Sequence, residues 1–317
     1  MKRLIQLLRH LMPALALLLV AVQSTSAACL APLQAPSPEQ MQVAQQQVRD
    51  RGFLWRISKG DHTSYLYGTI HVAKLEWVIP GNAVRAAWRA TDTLALELNL
   101  LDPSTILQVQ AGARDFDASS LPVAFTEWVH KQAIENCLDL VQLQTMDPMF
   151  QLATITLALA RRSGLEAAFG IDLMLTQTAQ SASRPIEALE TAREQIDALK
   201  LDADQTLALA ELQAFSAEDQ EQAQQVLLKL ATAWEHSDFA TIDNYEQWCK
   251  CVDSPSDREQ LKRLIDDRNI RFALRIDALH SAGRKVFAAV GSLHLMGKDK
   301  SVPGLLRKQG YTVQSLF

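Results

Sequence analysis

Glycine and proline are scarce in this chain of 317 residues, at 12 and 11. So few of them, with no Gly-X-Y register, exclude collagen and Pro/Gly-rich disorder. No heptad and no repeat of about 20–50 residues recurs, which removes coiled coils and solenoids. Positive charge is also short: 31 Lys and Arg face 36 Asp and Glu, a net charge of −5. Phosphate backbones demand a basic face, so a general nucleic-acid binder is excluded. Absent too are H-E-x-x-H, G-x-S-x-G, Walker A and G-x-G-x-x-G. With them go the common zinc-protease, serine-hydrolase, P-loop and dinucleotide readings. What is there, 48% hydrophobic and 21% charged residues, is ordinary globular composition with length for one or two domains.

The first 28 residues stand apart. Lys2, Arg3 and Arg9 form a basic start, Leu11 to Val22 an apolar run broken only by Pro13, and Ser24-Thr25-Ser26-Ala27-Ala28 a small-residue cleavage pattern. This reads as an export signal. The alternative is an uncleaved anchor, although the run is short against the ~20 apolar residues that a span needs. Without residues 1–28, 28 Lys and Arg remain against 36 Asp and Glu, a net −8. The expected compartment is the periplasm. Four cysteines, Cys29, Cys137, Cys249 and Cys251, allow three full pairings. Cys29 follows Ser26-Ala27-Ala28 and resembles a lipoprotein acylation site, without the aliphatic residue three positions earlier, so lipidation is a second route to a membrane tether. A single C-x-C is weak for a metal, and an oxidising compartment favours a structural disulfide from that pair to Cys137.

Residues 29–51, rich in Pro, Ala, Gln and Ser, read as a flexible leader with a short helical end. From residue 52 to 317 a single α/β domain is expected. Phe53–Ser58 and Thr63–Gly68 flank a Gly60 turn and predict a hairpin. The hairpin runs into Gly68-Thr69-Ile70-His71, a helix near Asn82–Ala90 with Asn82 as N-cap, and a strand Thr93–Leu98. This is the βαβ pattern of a parallel pair, and it puts the Thr93–Leu98 strand beside that of His71. Lys285–Val290, Gly291-Ser292-Leu293-His294, a helix Ser301–Gln309 and a strand Tyr311–Leu316 repeat the plan. Between them, about residues 105–282 read as a helical insertion. No Gly or Pro occurs from Ile186 to Ser254, and Leu207, Leu209, Leu212, Phe215, Val226, Leu227 and Leu230 recur near helical spacing. Ser256–Ala282 is an amphipathic helix. The fold expected is α/β, a mostly parallel central sheet built from both chain ends with a large helical insertion.

Gly-x-x-His therefore occurs twice, each time where a buried strand ends. Active sites of open parallel sheets gather beyond the carboxyl ends of strands. There, His71 and His294 either ligate one divalent metal through neutral imidazoles or cap their strands on loop carbonyls. Glu97 lies in the apolar run Leu94–Leu100, where a carboxylate needs a cation, a donor or a metal. It is a candidate ligand or general base. Pro185–Leu189 predicts a short strand ending at Glu190, which reaches the same edge or merely starts the next helix. Asp172 is either an acidic site group or a helix cap. Arg268-Asn269 interrupts an amphipathic helix and offers oxyanion or substrate-carboxylate contacts. His62, His130, His236 and His280 stand alone.

Taken in order, Leu66-Tyr67-Gly68-Thr69-Ile70-His71, Leu94-Ala95-Leu96-Glu97, Pro185–Thr191, Asp267-Arg268-Asn269 and Phe287–Gly297 with Gly310-Tyr311 resemble the TraB/GumN family over about residues 53–316. That family is related to the Tiki metal-dependent peptidases and to erythromycin-esterase-like and ChaN-like proteins. The resemblance implies His71 and His294 as metal ligands, Glu97 as ligand or base, and Arg268 as a substrate or transition-state contact. Glu190, Asn269 and Asp172 would be substrate-binding or supporting groups. The expected activity is a divalent-metal-dependent hydrolase, peptidase-like, with Mn, Co, Zn or Fe and a peptide or small-molecule substrate. The alternative is a non-catalytic periplasmic protein of ChaN type that binds haem or a metal chelate.

Overall fold

The computed structural model describes residues 29–30, 33–202, 205–206, 209–210, 217–252 and 254–317. The export-signal reading of residues 1–28 and the helical positions Leu207, Leu212 and Phe215 lie outside them. Six strands form one sheet: β1 (Phe53–Lys59), β2 (His62–Thr69), β3 (Thr93–Leu96), β4 (Ile186–Ala188), β5 (Val286–Gly291) and β6 (Thr312–Ser315), in the order β4-β3-β5-β2-β1-β6. β3 (TLAL) and β5 (VFAAVG) are buried at every position. Continuous apolar runs are what central parallel strands require, because both faces are covered. The pairs β2·β5, β3·β5 and β3·β4 are parallel, while β1·β2 and β1·β6 are antiparallel. The expected mostly parallel sheet from both chain ends, with helices inserted between β3 and β5, is the architecture found.

Its internal order differs from expectation in two places. β3 does not neighbour β2, because β5 enters between them and pairs with both. β6 does not continue a parallel unit after β5 but returns to the edge of β1, Ile57 opposite Val313. The C-terminal strand completes the hairpin side of the sheet and covers its edge. β5 carries the most apolar run of the six, so the centre is where its burial is largest.

The helix Asn82–Arg89 takes Gly81 as N-cap, not Asn82. Asp50 supplies the capping oxygens from elsewhere in the chain, accepting from the Ala83 and Val84 amides. The stretch expected as one helix over Ser256–Ala282 is instead Pro255–Leu261, a π-helical turn Lys262–Asp266, and Asp267–Ser281. Such turns bend a helix and re-aim the next side chains, and here the next residues are Asp267, Arg268 and Asn269. Among the described residues no helix is long and apolar enough to cross a membrane.

The cysteine pairing corrects the expectation. Cys249 bonds Cys251, and Cys137 bonds Cys29. Cys249 and Cys251 are fully buried, with Lys250 between them at φ 52°. That left-handed residue turns the chain back so that both sulfurs meet. Non-reducing peptide mapping is expected to recover Cys29–Cys137 and Cys249–Cys251 links and no Cys137–Cys251 link. Cys29→Ser, opening a closure across 108 residues, should cost about 2–4 kcal/mol in urea denaturation.

Candidate functional site

The parallel register delivers four chain segments to one edge. Gly68 sits beside Val290 and Thr69 beside Gly291, so both Gly-x-x-His motifs leave neighbouring strands at the same level. β3 ends opposite Ala289, which puts Glu97 just past the end of β3 and level with the last residues of β5. β4 ends beside Leu96, and the ladder continues through Leu189 N–H to the Leu96 carbonyl and Glu190 N–H to the Glu97 carbonyl. Glu190 is thus the last residue before the helix Ala192–Leu199, whose N-cap is Thr191 in a capping box with Glu194. Glu97, Glu190 and His294 reach the expected edge together.

What meets them there is Arg268. Its guanidinium is completely buried. Nη2 donates to Glu97 Oε2 at 2.6 Å and Glu190 Oε1 at 2.5 Å, Nε donates to both Glu190 oxygens, and Nη1 donates to the Leu264 carbonyl of the π turn. The other Glu97 oxygen accepts the Gly291 amide at 2.7 Å. Burial pushes Glu97 upward, but Arg268 first, then His294, His71 and the Gly291 amide, hold it down at about 2. Burial raises Glu190 against the pull of Arg268. Desolvation opposes the Arg268 charge, and the two carboxylates more than compensate, raising its pKa. Arg268, expected to contact substrate, lines neither of the two cavities at this edge.

His294 is also fully buried, and its hydrogen bonds define its tautomer. Asn269 Nδ2 donates to the Lys300 carbonyl, so Asn269 Oδ1 faces His294 Nδ1, 2.7 Å away. Nδ1 therefore carries the proton, and the Nε2 lone pair accepts from Arg268 Nη1 at 3.2 Å. Burial pushes the His294 pKa down to about 3, helped by the Arg268 charge and opposed by Glu97. The ring is a neutral acceptor. Asn269 holds the histidine and touches no cavity.

His71 and Asp172 form the other half of the edge. Gly170 packs so tightly that a Cβ there would lie 2.6 Å from the His71 carbonyl. This close approach lets the Ile171 amide bond the Ile70 carbonyl and starts the helix Ile171–Ser181 against the end of β2. Asp172, in its first turn, then lies with Oδ1 3.1 Å from His71 Nδ1. His71 lines two cavities. One is lined by Leu96, Glu97, Leu98, Leu100, Asp172, Thr176 and Gln195, the other by apolar side chains of two helices. Nothing in the local sequence marks that second wall, which includes Trp234 from a distant helix.

Of the three residues expected to hold a metal, Glu97 and His294 both contact Arg268, while His71 lies on the cavity side. Both Glu97 oxygens and the His294 Nε2 accept hydrogen bonds from the Gly291 amide and from Arg268. Among the described residues no group of three or more His, Cys, Asp or Glu is arranged to hold a metal ion.

Two outcomes follow. Arg268→Met strands two carboxylates in a dry interior and should cost about 3–5 kcal/mol, with partial recovery in Arg268→Met/Glu97→Gln/Glu190→Gln, read by urea denaturation. For His294 the folded pKa is depressed from 6.5 to about 3. The unfolded chain then binds a proton that the folded chain refuses, so stability is complete above pH 6.5 and falls as pH drops toward 3. Glu97 adds a loss of the same sign between 4.5 and about 2. From pH 7.5 to 5, His294→Gln should lose about 2 kcal/mol less stability than the parent.

No solved structure matches the chain at a significant level. The family model described as TraB/PrgY/gumN family matches residues 53–315. An uncharacterized protein YbaP of Escherichia coli K12 is 27% identical over 280 residues, covering 80% of this chain and 97% of that protein. The uncharacterized YbaP of Shigella flexneri is 25% identical over 260 residues, covering 78% and 89%. The matched span runs from β1 to the last residue of β6 and takes in both Gly-x-x-His motifs, Glu97, Glu190 and Arg268, and on that match this chain belongs to the TraB/PrgY/gumN family.

Proposed function

We propose that this family member is a hydrolase of ester or amide bonds whose working base is His71, with Asp172 as its counter-charge. The observation that carries the reading is the 3.1 Å approach of Asp172 Oδ1 to His71 Nδ1, on a histidine that lines both cavities at the carboxyl edge of the sheet. A carboxylate this close to the ring stabilises the imidazolium that forms when Nε2 accepts a proton. In the proposed step, a water gives its proton to His71 Nε2 while its oxygen bonds to the substrate carbonyl carbon. The tetrahedral adduct collapses, and the leaving group departs with the proton returned by His71. Glu97 has a different part in this scheme from the one expected. With both oxygens engaged and its pKa near 2, it is a fixed negative charge beside the site, and Arg268 is its counter-ion.

The expected substrate class, a peptide or small molecule, is retained. Export to the periplasm is part of the same proposal, supported by the pattern of residues 1–28 and by two disulfides. The test is a screen of ester, amide and peptide substrates with chelator-treated protein. Wild type is expected to stay active after chelation, and His71→Ala to lose about 10²–10⁴-fold in kcat, with Asp172→Asn impaired in the same direction. Near-stoichiometric metal in the purified protein, lost together with activity in His294→Ala or on chelation, would sink the His71–Asp172 reading and restore a metal-dependent one.

A further inference from the structure

Resting on that reading, we infer that the substrate carries an apolar group beside the bond cleaved, and that this group enters the cavity between the ends of β2 and β5 and two helices. The wall comes from the helix Pro148–Arg162, through Ala153, Thr156 and Leu157, and from the helix Ala217–Glu235, through Leu227, Leu230 and Trp234. The remaining lining comes from the two Gly-x-x-His segments, including Ile70 and Leu293, and from Val72 and Ile242. Apart from His71, no charged or titratable side chain lines it.

Three polar side chains of the lining already donate elsewhere. The Trp234 indole N–H donates to the Gly68 carbonyl at 2.8 Å, Thr156 Oγ1 to the Leu152 carbonyl at 2.8 Å, and Ser292 Oγ to the Thr69 carbonyl at 2.8 Å. A polar substrate group entering here would give up its water and find these donors directed inward, a loss without compensation. An alkyl or aryl group would lose nothing comparable and would displace water from apolar wall. The neighbouring cavity contrasts with it: Glu97 and Asp172 lie there, with Thr176 and Gln195. His71 is common to both. A substrate reacting at His71 therefore meets an apolar wall on one side and carboxylates on the other, and the geometry assigns its apolar part to the first.

Two sources share this chemistry, a fatty acyl chain and a large apolar amino-acid side chain. The experiment compares acetyl, butyryl, hexanoyl and octanoyl p-nitrophenyl esters with peptide amides having Ala, Val, Leu or Phe at the carbonyl side. In parallel, calorimetry measures binding of butanol, hexanol and octanol, which offer nothing to hydrolyse, to the wild type and to His71→Ala. Both kcat/KM and affinity are expected to rise about fourfold per methylene until the cavity is full. Leu157→Asp, at a partly buried position of the wall, should flatten both slopes. A rise in the ester series alone assigns acyl chains, and a rise in the peptide series alone assigns side chains. Activity indifferent to chain length, with alcohols bound equally weakly, would overturn the inference and leave the hydrolase reading intact. Alcohols bound with rising affinity by a protein that hydrolyses nothing would overturn the hydrolase reading instead and leave an apolar ligand site.

Discussion

The guanidinium of Arg268, held between Glu97 and Glu190 with no exposure to solvent, is the interaction on which this edge of the molecule depends. Each of the three charges would be costly in a dry interior, and each is tolerable only because the others are present. The cluster also joins parts of the chain that are far apart: Glu97 follows β3, Glu190 follows β4, the Gly291 amide ends β5, and Arg268 arrives on a helix after a π turn. Bonds among these four hold the carboxyl ends of three parallel strands in fixed register with a helix. His294 and Asn269 extend the same network and complete the buried hydrogen bonding on its far side.

This fixes a division of labour along the edge. The buried side, with Arg268, Glu190, His294 and Asn269, is saturated: every donor and acceptor described there meets another protein group. The side nearer the cavities, with His71 and Asp172, faces space. A fully paired buried network resists rearrangement, so it serves as a rigid support, while chemistry belongs where a residue borders a cavity. Glu97 touches both, contacting Arg268 inward and lining the acidic cavity outward. It gives that cavity a permanent negative character, and the apolar cavity on the other side of His71 has none.

Much of this was legible in the residues. The buried runs of β3 and β5 announce central parallel strands, and a carboxylate inside such a run, Glu97, announces a partner of opposite charge or a donor. The repeated Gly-x-x-His places two histidines past strand ends, and both lie there. The identity of Glu97's partner was harder to see, since an arginine in an amphipathic helix is usually solvated; only the π turn, which re-aims Arg268 inward, reverses that expectation. The apolar wall was illegible for a similar reason. Trp234, Leu230 and Leu227 look like any helix face packed into a core, and their approach to His71 depends on how a remote helix docks.

The order of the strands shows the same boundary between local and long-range information. Chain pattern alone determines that six segments are strands, that the long middle is helical, and that glycine and carboxylate lie at the ends of apolar runs, because these are properties of periodicity and side-chain chemistry within a few residues. Tertiary structure decided that β5 enters between β2 and β3, that β6 returns to β1, that Cys29 meets Cys137, and that Arg268 pairs with Glu97. Each of those outcomes is a contest among partners separated by tens to hundreds of residues. It is settled by which arrangement buries the most apolar strand and leaves no buried charge alone, a comparison that exists only once the whole chain is assembled.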